Sequence, residues 1–301
     1  PDNQAYQAAP PCDNYYQIRD EIVVTLEKLG VPVKYHHHEV GGPGQSEIET
    51  PLLGITEAGD TALLVKYVVK MIAMRAGKTA TFLPKPIYGL AGSSTHYHQM
   101  LTKNGVNQFY DPDGLSLLSQ TALRYIGGLL THAPAVMAFT NPSPNSYRRL
   151  VPGFEAPIKA IFSVANRSAA IGIPKYATAP DAVRMEFRPP DATGNAYLSM
   201  AAMLMAGLAG IQAGIDPTEA GFGPIYDNIF DWSEERRATI KSLPTSVDAA
   251  MSALENGASF LTESGIFDET LIRTWVNAKR KEADQVNQRP SPFEIETYYD
   301  C

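Results

Sequence analysis

Glutamate, histidine and arginine recur along this chain at spacings that suit the handling of cations and anions. Glu39 and Glu47 close the two ends of a glycine-rich loop in HHHEVGGPGQSE, with His36, His37 and His38 just before it. Two carboxylates drawn together across such a loop repel unless a cation joins them, so a hard divalent metal is a natural tenant. A surface loop with polar ends has the same spacing. His96 and His98 form an H-x-H pair, and Glu186 and Arg188 an E-x-R pair. On a strand, such alternation puts both members on one face. The first pair offers metal or nucleotide geometry. The second holds either a metal and a phosphate side by side or a structural ion pair. Between Asn145 and Pro190, Arg148, Arg149, Arg167 and Arg188 stand among Pro, Gly and Asn turn residues, in a chain of net charge -7. Planar guanidinium groups suit phosphate and carboxylate, so the local surplus points to anion handling; the alternative is a solvated arginine face.

These residues need elements to hold them. Asp13 is placed to cap a helix carrying Ile18, Ile22, Val23, Leu26 and Leu29 and stopping at Gly30. VPVKY (31–35) reads as a strand leading into the histidine run, and 79–83 as another. A second helix is expected over 61–76. HYHQML reads as a strand, followed by a hairpin-like turn at Asn104-Gly105. Helices are expected over 115–139, 191–211, 246–261 and 268–288, and strands at 158–164, 169–173 and 184–188. The pattern is α+β in one domain over 1–301, with functional residue types concentrated in loops.

Composition narrows the classes. Apolar residues make up 44% and charged residues 19% of 301, an ordinary globular balance. With 25 basic against 32 acidic side chains, neither nucleic acid nor an anionic membrane surface is an expected partner. Cys12 and Cys301 form no disulfide framework and lack zinc-site spacing, so a cytoplasmic setting is the simpler reading. The apolar run 198–211 is short of the roughly 20 residues a membrane span needs and reads as a buried core helix.

Taken in chain order, VKYHHHEVGGPGQSE, KTATFLPKPIYG, the HYH strand, NPSPNSYRRLVPGFEAP, NRSAAIGIP, MEFRPPD and the closing FEIETYYD resemble the catalytic domain of type I glutamine synthetase over essentially the whole chain. The resemblance implies a curved antiparallel sheet, a half-barrel or funnel, flanked by helices. It implies ligation of ammonia to glutamate with ATP, through γ-glutamyl phosphate, with two Mg²⁺ or Mn²⁺ ions, in a homo-oligomer that is a dodecamer in the family. On matched positions, Glu39 and Glu47 correspond to ligands of the first metal, and His96 and Glu186 to ligands of the second. Arg149 and Arg188 match arginines on glutamate or the transferring phosphoryl group, and Arg167 one on the phosphates. Glu155 matches the acid of a flap that closes over the intermediate. Tyr6 matches a tyrosine at the ammonium site. His98 and Arg184 fall near the nucleotide, and Gly92 lies in the glutamate-binding loop.

The departures are specific. The loop expected to read N-G-S-G is Ala91, Gly92, Ser93, Ser94, which removes a side-chain amide. An arginine expected in I-R-I-P is Gly172, and a serine expected after His98 is Met100. An amino-terminal β-grasp domain and an E-x-E strand, which complete the site in the family, are expected to lie outside this chain. A γ-glutamyl-amine ligase and a catalytically impaired, ligand-binding relative are the competing readings.

Overall fold

The computed structural model describes residues 5–154, 156–164 and 166–301, the side chain of Phe230 excepted. Besides a cluster of Ile161, Ala169, Ile229 and Ile240, two cores organise it. The smaller joins helices α1 (Tyr16–Lys28) and α2 (Ile55–Arg75) through Ile22, Leu26, Val31, Val68 and Ile72. It supports the antiparallel hairpin β1 (Tyr35–His38) and β2 (Ser46–Glu49), in which His37 faces Glu47 and His38 faces Ser46. Asp13 does not cap α1; that position is Tyr15. Asp13 instead accepts the Tyr15 N–H at 3.0 Å and forms a buried ion pair with Arg19, which also reaches Ser46 Oγ at 3.4 Å. A charge placed to start a helix is thus used to tie that helix to the hairpin.

The larger core surrounds α3 (Gln120–Thr140), buried through most of its length, together with α5 (Ala196–Ala213), α7 (Val247–Gly257) and α9 (Glu269–Asn287). A helix's last carbonyls have no partner within the helix. In α3 each finds one: Met137 O takes Asn141 N (2.9 Å), Ala138 O takes Trp275 Nε1 (2.9 Å), Phe139 O takes Ser199 Oγ (3.1 Å) and Thr140 O takes Asp191 N (3.2 Å). The end of α3 is therefore locked to α5, α9 and the segment at Asp191. Helix α5 is long and apolar enough, by length and composition, to cross a membrane, and extends beyond the apolar run seen in the sequence. One face, including Met200, Ala202, Met203 and Ala206, is buried in this core.

The site-bearing sheet has the order β3 (Tyr97–Gln99), β8 (Met185–Phe187), β7 (Ala169–Ile173), β6 (Lys159–Val164). β3/β8 and β8/β7 are antiparallel, but β6/β7 run parallel, so the sheet is mixed rather than wholly antiparallel. Short β4 (Thr102–Lys103) and β5 (Val106–Asn107) flank Asn104 and Gly105, both at positive φ, the signature of a type I′ turn. The other helices are α4 (Pro144–Arg149), α6 (Glu234–Ala238), α8 (Ser259–Thr262) and α10 (Pro292–Tyr298). Two expected strands differ: 79–83 has no regular structure, and residues 31–34 are extended backbone before β1, where Val31 buries its side chain and Lys34 N bonds Glu49 O.

Where α3 and α5 cross, backbones meet directly: a Cβ on Gly210 would stand 2.3 Å from Gly128 Cα. Gly210→Ala should therefore lower the urea midpoint with little change in slope, a loss of about 1–3 kcal/mol. An unchanged midpoint would show that the helices separate freely.

Candidate functional site

The hairpin loop that carries Glu39 and Glu47 is held by its own backbone. Glu39 N donates to Gln45 O (2.9 Å) and Gln45 N to Gly41 O (3.2 Å). Gly44 sits at φ +104° with a Cβ position 2.6 Å from the Tyr15 ring, so only glycine fits. Alternation along β1 and pairing across to β2 bring together His37, Glu39 and Glu47, each offering one ligand atom within 4.8 Å of the others. Among the described residues this is the group in which three such side chains converge closely enough to share a metal ion. Burial and the Glu39 charge push the Glu47 carboxyl up to about 7. An acidic pair that resists joint ionisation, with an imidazole beside it, is a donor set that fits a divalent cation. His37 is the member the sequence reading left without a role. Its place two residues before Glu39 on a strand was the available signal.

The second group lies on β8 and the approach to β3. His98 faces Glu186 across the ladder, and Glu186 faces Gly172 on the other side. His96 Nδ1 lies 2.8 Å from Glu186 Oε1, and Arg188 Nη1 lies 3.1 Å from the same oxygen. Burial alone would raise Glu186, but the His96 hydrogen bond and the His96 and Arg188 charges hold it at about 2. Burial keeps His96 below its ordinary value despite Glu186. The Ser94 hydroxyl lies 2.9 Å from His96 Nε2. The ring is therefore held at both nitrogens, Nδ1 by Glu186 and Nε2 by Ser94. Ser94, a departure from the family pattern, thus bonds to a predicted ligand.

His98 Nδ1 accepts from Arg184 Nε at 3.3 Å, and Arg184 also reaches Tyr176 Oη (3.1 Å) and Ala182 O (2.9 Å). Burial and the Arg184 charge lower His98, with Glu186 opposing. Arg149 is buried, and its donors go to backbone carbonyls: Pro189 O (2.7 Å), Pro190 O (3.3 Å) and Arg188 O (3.1 Å). Burial pushes it down to about 10, with the Asp191 charge opposing. In this structure Arg149 shapes the site from beneath. Gly92 presses on it: a Cβ there would meet Pro84 O at 2.5 Å and Arg149 Cγ at 2.9 Å. Arg167 and Tyr6 do converge on the hairpin, with the Arg167 guanidinium 5.9 Å from the Tyr6 ring and that ring 5.3 Å, edge-on, from His37. Glu155 lies outside the described residues; its neighbour Phe154 has the Lys85 ammonium 3.6 Å from its ring centroid.

Two further residues emerge from the structure. Asp191, 2% exposed, accepts from Asn141 Nδ2 (3.1 Å) and Thr193 N (2.9 Å) and fixes the exit from β8. Gln45 joins the two halves of the site: its Nε2 donates to Gly92 O (2.8 Å) and Ser93 Oγ (3.1 Å). No short-range sequence signal marks either, because their partners are distant in the chain.

A family model described as glutamine synthetase, catalytic domain, matches residues 1–298. A glutamine synthetase of Nostoc sp. is 47% identical over 298 residues, 99% of this chain and 62% of its own. One of Streptomyces filamentosus is 47% identical over 296 residues, again with 62% of its length covered. The chain thus spans about six-tenths of the length of these curated relatives. A cryo-EM structure of Plasmodium falciparum glutamine synthetase superposes with TM-score 0.87 at 28% identity, covering 99% of this chain and 64% of that one. A GmaS/ADP complex does so with TM-score 0.87 at 29% identity, covering 100% and 67%.

The raised Glu47 carboxyl has a definite pH consequence. Between its ordinary 4.5 and about 7 the folded chain holds a proton that the unfolded chain releases. That contribution to stability is complete below the unfolded value and is lost as pH rises through about 7. In metal-free chain the urea midpoint should fall over this window; Glu47→Gln should flatten the fall, and Mn²⁺ should offset it most at the alkaline end. An equally steep fall in Glu47→Gln would assign it to another group.

Proposed function

This chain belongs to the glutamine synthetase family, sharing its catalytic domain, and from that premise we propose that it joins ammonia to L-glutamate with ATP, through γ-glutamyl phosphate. The observation that carries this reading is the pairing, linked through Gln45 and the Gly92 loop, of an acidic cluster at the hairpin with a strand carboxylate buttressed by a guanidinium. The first is Glu39 with Glu47, and the second is Glu186 with Arg188 and His96. Glu39 and Glu47, with His37 beside them, would hold one divalent ion, and His96 and Glu186 the other. Bound Mg²⁺ or Mn²⁺ would supply charge neutralisation for phosphoryl transfer.

The chain's own groups do the positioning. Arg188 and Arg167 steady anionic oxygens of the phosphate and the glutamate. His98 and Arg184, already bonded to each other, form the nucleotide side. The Gly92 loop receives glutamate, and Arg149 fixes the strand end facing it. A γ-carboxylate oxygen displaces ADP from the γ-phosphorus. Ammonium then gives a proton to Glu155, and the ammonia formed attacks the carboxyl carbon of γ-glutamyl phosphate and displaces phosphate, which leaves with the nitrogen's second proton. Tyr6, between Arg167 and His37, is our assignment for the ammonium side. We assign the protein a soluble, cytoplasmic, homo-oligomeric setting, with a dodecamer as the family's form.

Phosphate release from ATP and glutamate with Mg²⁺ should require ammonia, in this chain or in any longer polypeptide that contains it. Release with alkylamines but not ammonia would move the assignment to an amine ligase. Glu186→Gln should lose Mn²⁺ affinity and turnover together, by more than the 10–100-fold typical of residues that merely support a ligand. Full activity in that variant would remove Glu186 from the metal.

A further inference from the structure

We propose that Gln45 is a positioning residue that couples cation binding at the hairpin to glutamate binding at the Gly92 loop, an inference that rests on the ligase reading above. Gln45 closes the loop between the two carboxylates. Its backbone carbonyl holds Glu39 N (2.9 Å), and it is separated from Glu47 by Ser46 alone. Its side-chain Oε1 accepts Gly41 N–H at 2.8 Å, inside the same loop. The other end of the amide leaves the loop altogether and grips Gly92 O and Ser93 Oγ. From there the chain runs through Ser94 to His96 and the second group.

The fit is specific to an amide. One end must accept and the other donate, so a glutamate here would set a carboxylate against the Gly92 carbonyl with no change in volume. The loop is also built to press on it. A Cβ on Gly41 would fall 2.8 Å from Gln45 Oε1 and 3.0 Å from Gln45 Cβ, so glycine lets the backbone close over the amide. Glu39 and Glu47 already stand within 4.8 Å of each other. A cation bonded to both would fix their separation across a loop whose closing residue is Gln45, and that constraint is passed to Gly92. A ligand that fixes the Gly92 loop must, by linkage, tighten the hairpin's hold on the cation by the same factor.

The test uses the full chain and binding readouts. Mn²⁺ affinity is measured by the EPR signal of free Mn²⁺ with and without saturating L-glutamate, and glutamate affinity by calorimetry with and without Mn²⁺. In the unaltered chain each should tighten the other by one common factor, on the order of 5- to 150-fold. Gln45→Ala and Gln45→Glu should keep the fold, checked by melting, and bind each ligand alone within a few-fold, while the common factor falls towards one. Coupling retained in Gln45→Ala, or absent from an unaltered chain that binds both ligands, would overturn the inference and leave the ligase reading standing. An unaltered chain that takes up Mn²⁺ but no glutamate would bring down both.

Discussion

The carbonyls of Pro189 and Pro190 are the point on which the site's geometry depends. Prolines have no N–H to give a ladder, and both residues are buried, so their carbonyls need donors from elsewhere. Pro189 O is met by Arg149 and by Asn141 Nδ2 (2.7 Å), and Pro190 O by Arg149 and by Thr95 N (3.0 Å). Four segments are thereby pinned to one dipeptide: α4 through Arg149, the end of α3 through Asn141, the approach to β3 through Thr95, and the exit of β8 itself. Glu186 and Arg188 precede this knot and His96 follows Thr95. Their backbones are held by these hydrogen bonds, and the contacts of His96 and Arg188 with Glu186 form on that frame. A buried guanidinium is costly unless its donors are satisfied, and here carbonyls satisfy them. Asp191 helps electrostatically without forming a direct ion pair among the described residues.

The two carboxylate groups sit in opposite electrostatic states. Glu186 has an imidazole and a guanidinium on one oxygen and stays ionised far into acid. Glu47 is buried beside Glu39 with His37 Nε2 no closer than 3.7 Å, and holds its proton up to near neutrality. One group has a guanidinium in contact with its carboxylate; the other, among the described residues, has the His37 imidazole at 3.7 Å and sheds a negative charge by holding a proton. Bringing both to one cleft yields a site whose charge balance changes with what is bound. Phosphoryl transfer makes the same demand, since its negative charge is redistributed as the group moves.

The sequence showed elements and single residues better than it showed contacts. The Asn104-Gly105 turn, the helix expected over 268–288, most of the one expected over 115–139, which begins only at Gln120, and the strand at 169–173 were legible because their signals are local. The E-x-R alternation correctly put Glu186 and Arg188 on one face. The parallel pairing of β6 and β7 was not legible. Four residues separate them, a hairpin's spacing, and nothing local distinguishes a return that runs back along the strand. Arg149 was expected to face the substrate, yet its donors go to backbone carbonyls about forty residues on, partners that no local signal reveals. His37 and Gln45 were in view within the loop motif, but their roles follow from cross-strand and cross-loop partners that only a folded chain supplies.

The departures from the family pattern fall on one half of the site. Glu39 and Glu47 keep their places in the hairpin, while Ala91, Ser94, Met100 and Gly172 gather along β3, β7 and the loop before them. Their effects are concrete. Ser94 adds a hydrogen bond to His96 Nε2, which fixes the ring whose other nitrogen faces Glu186. At Gly172 a Cβ would point 3.2 Å from Glu186 Oε2 and 3.6 Å from Arg188 Cδ, so an arginine side chain there would run beside both. With glycine, Arg188 is the guanidinium in contact with Glu186 among the described residues, and its Nε is buried without a partner. The substituted positions thus shape the surface turned towards Glu186, while Glu39 and Glu47 converge in the hairpin. With glycine at 172 and serine at 94, the way Glu186 and Arg188 meet an anionic oxygen is set by one guanidinium and by a ring tethered at both nitrogens.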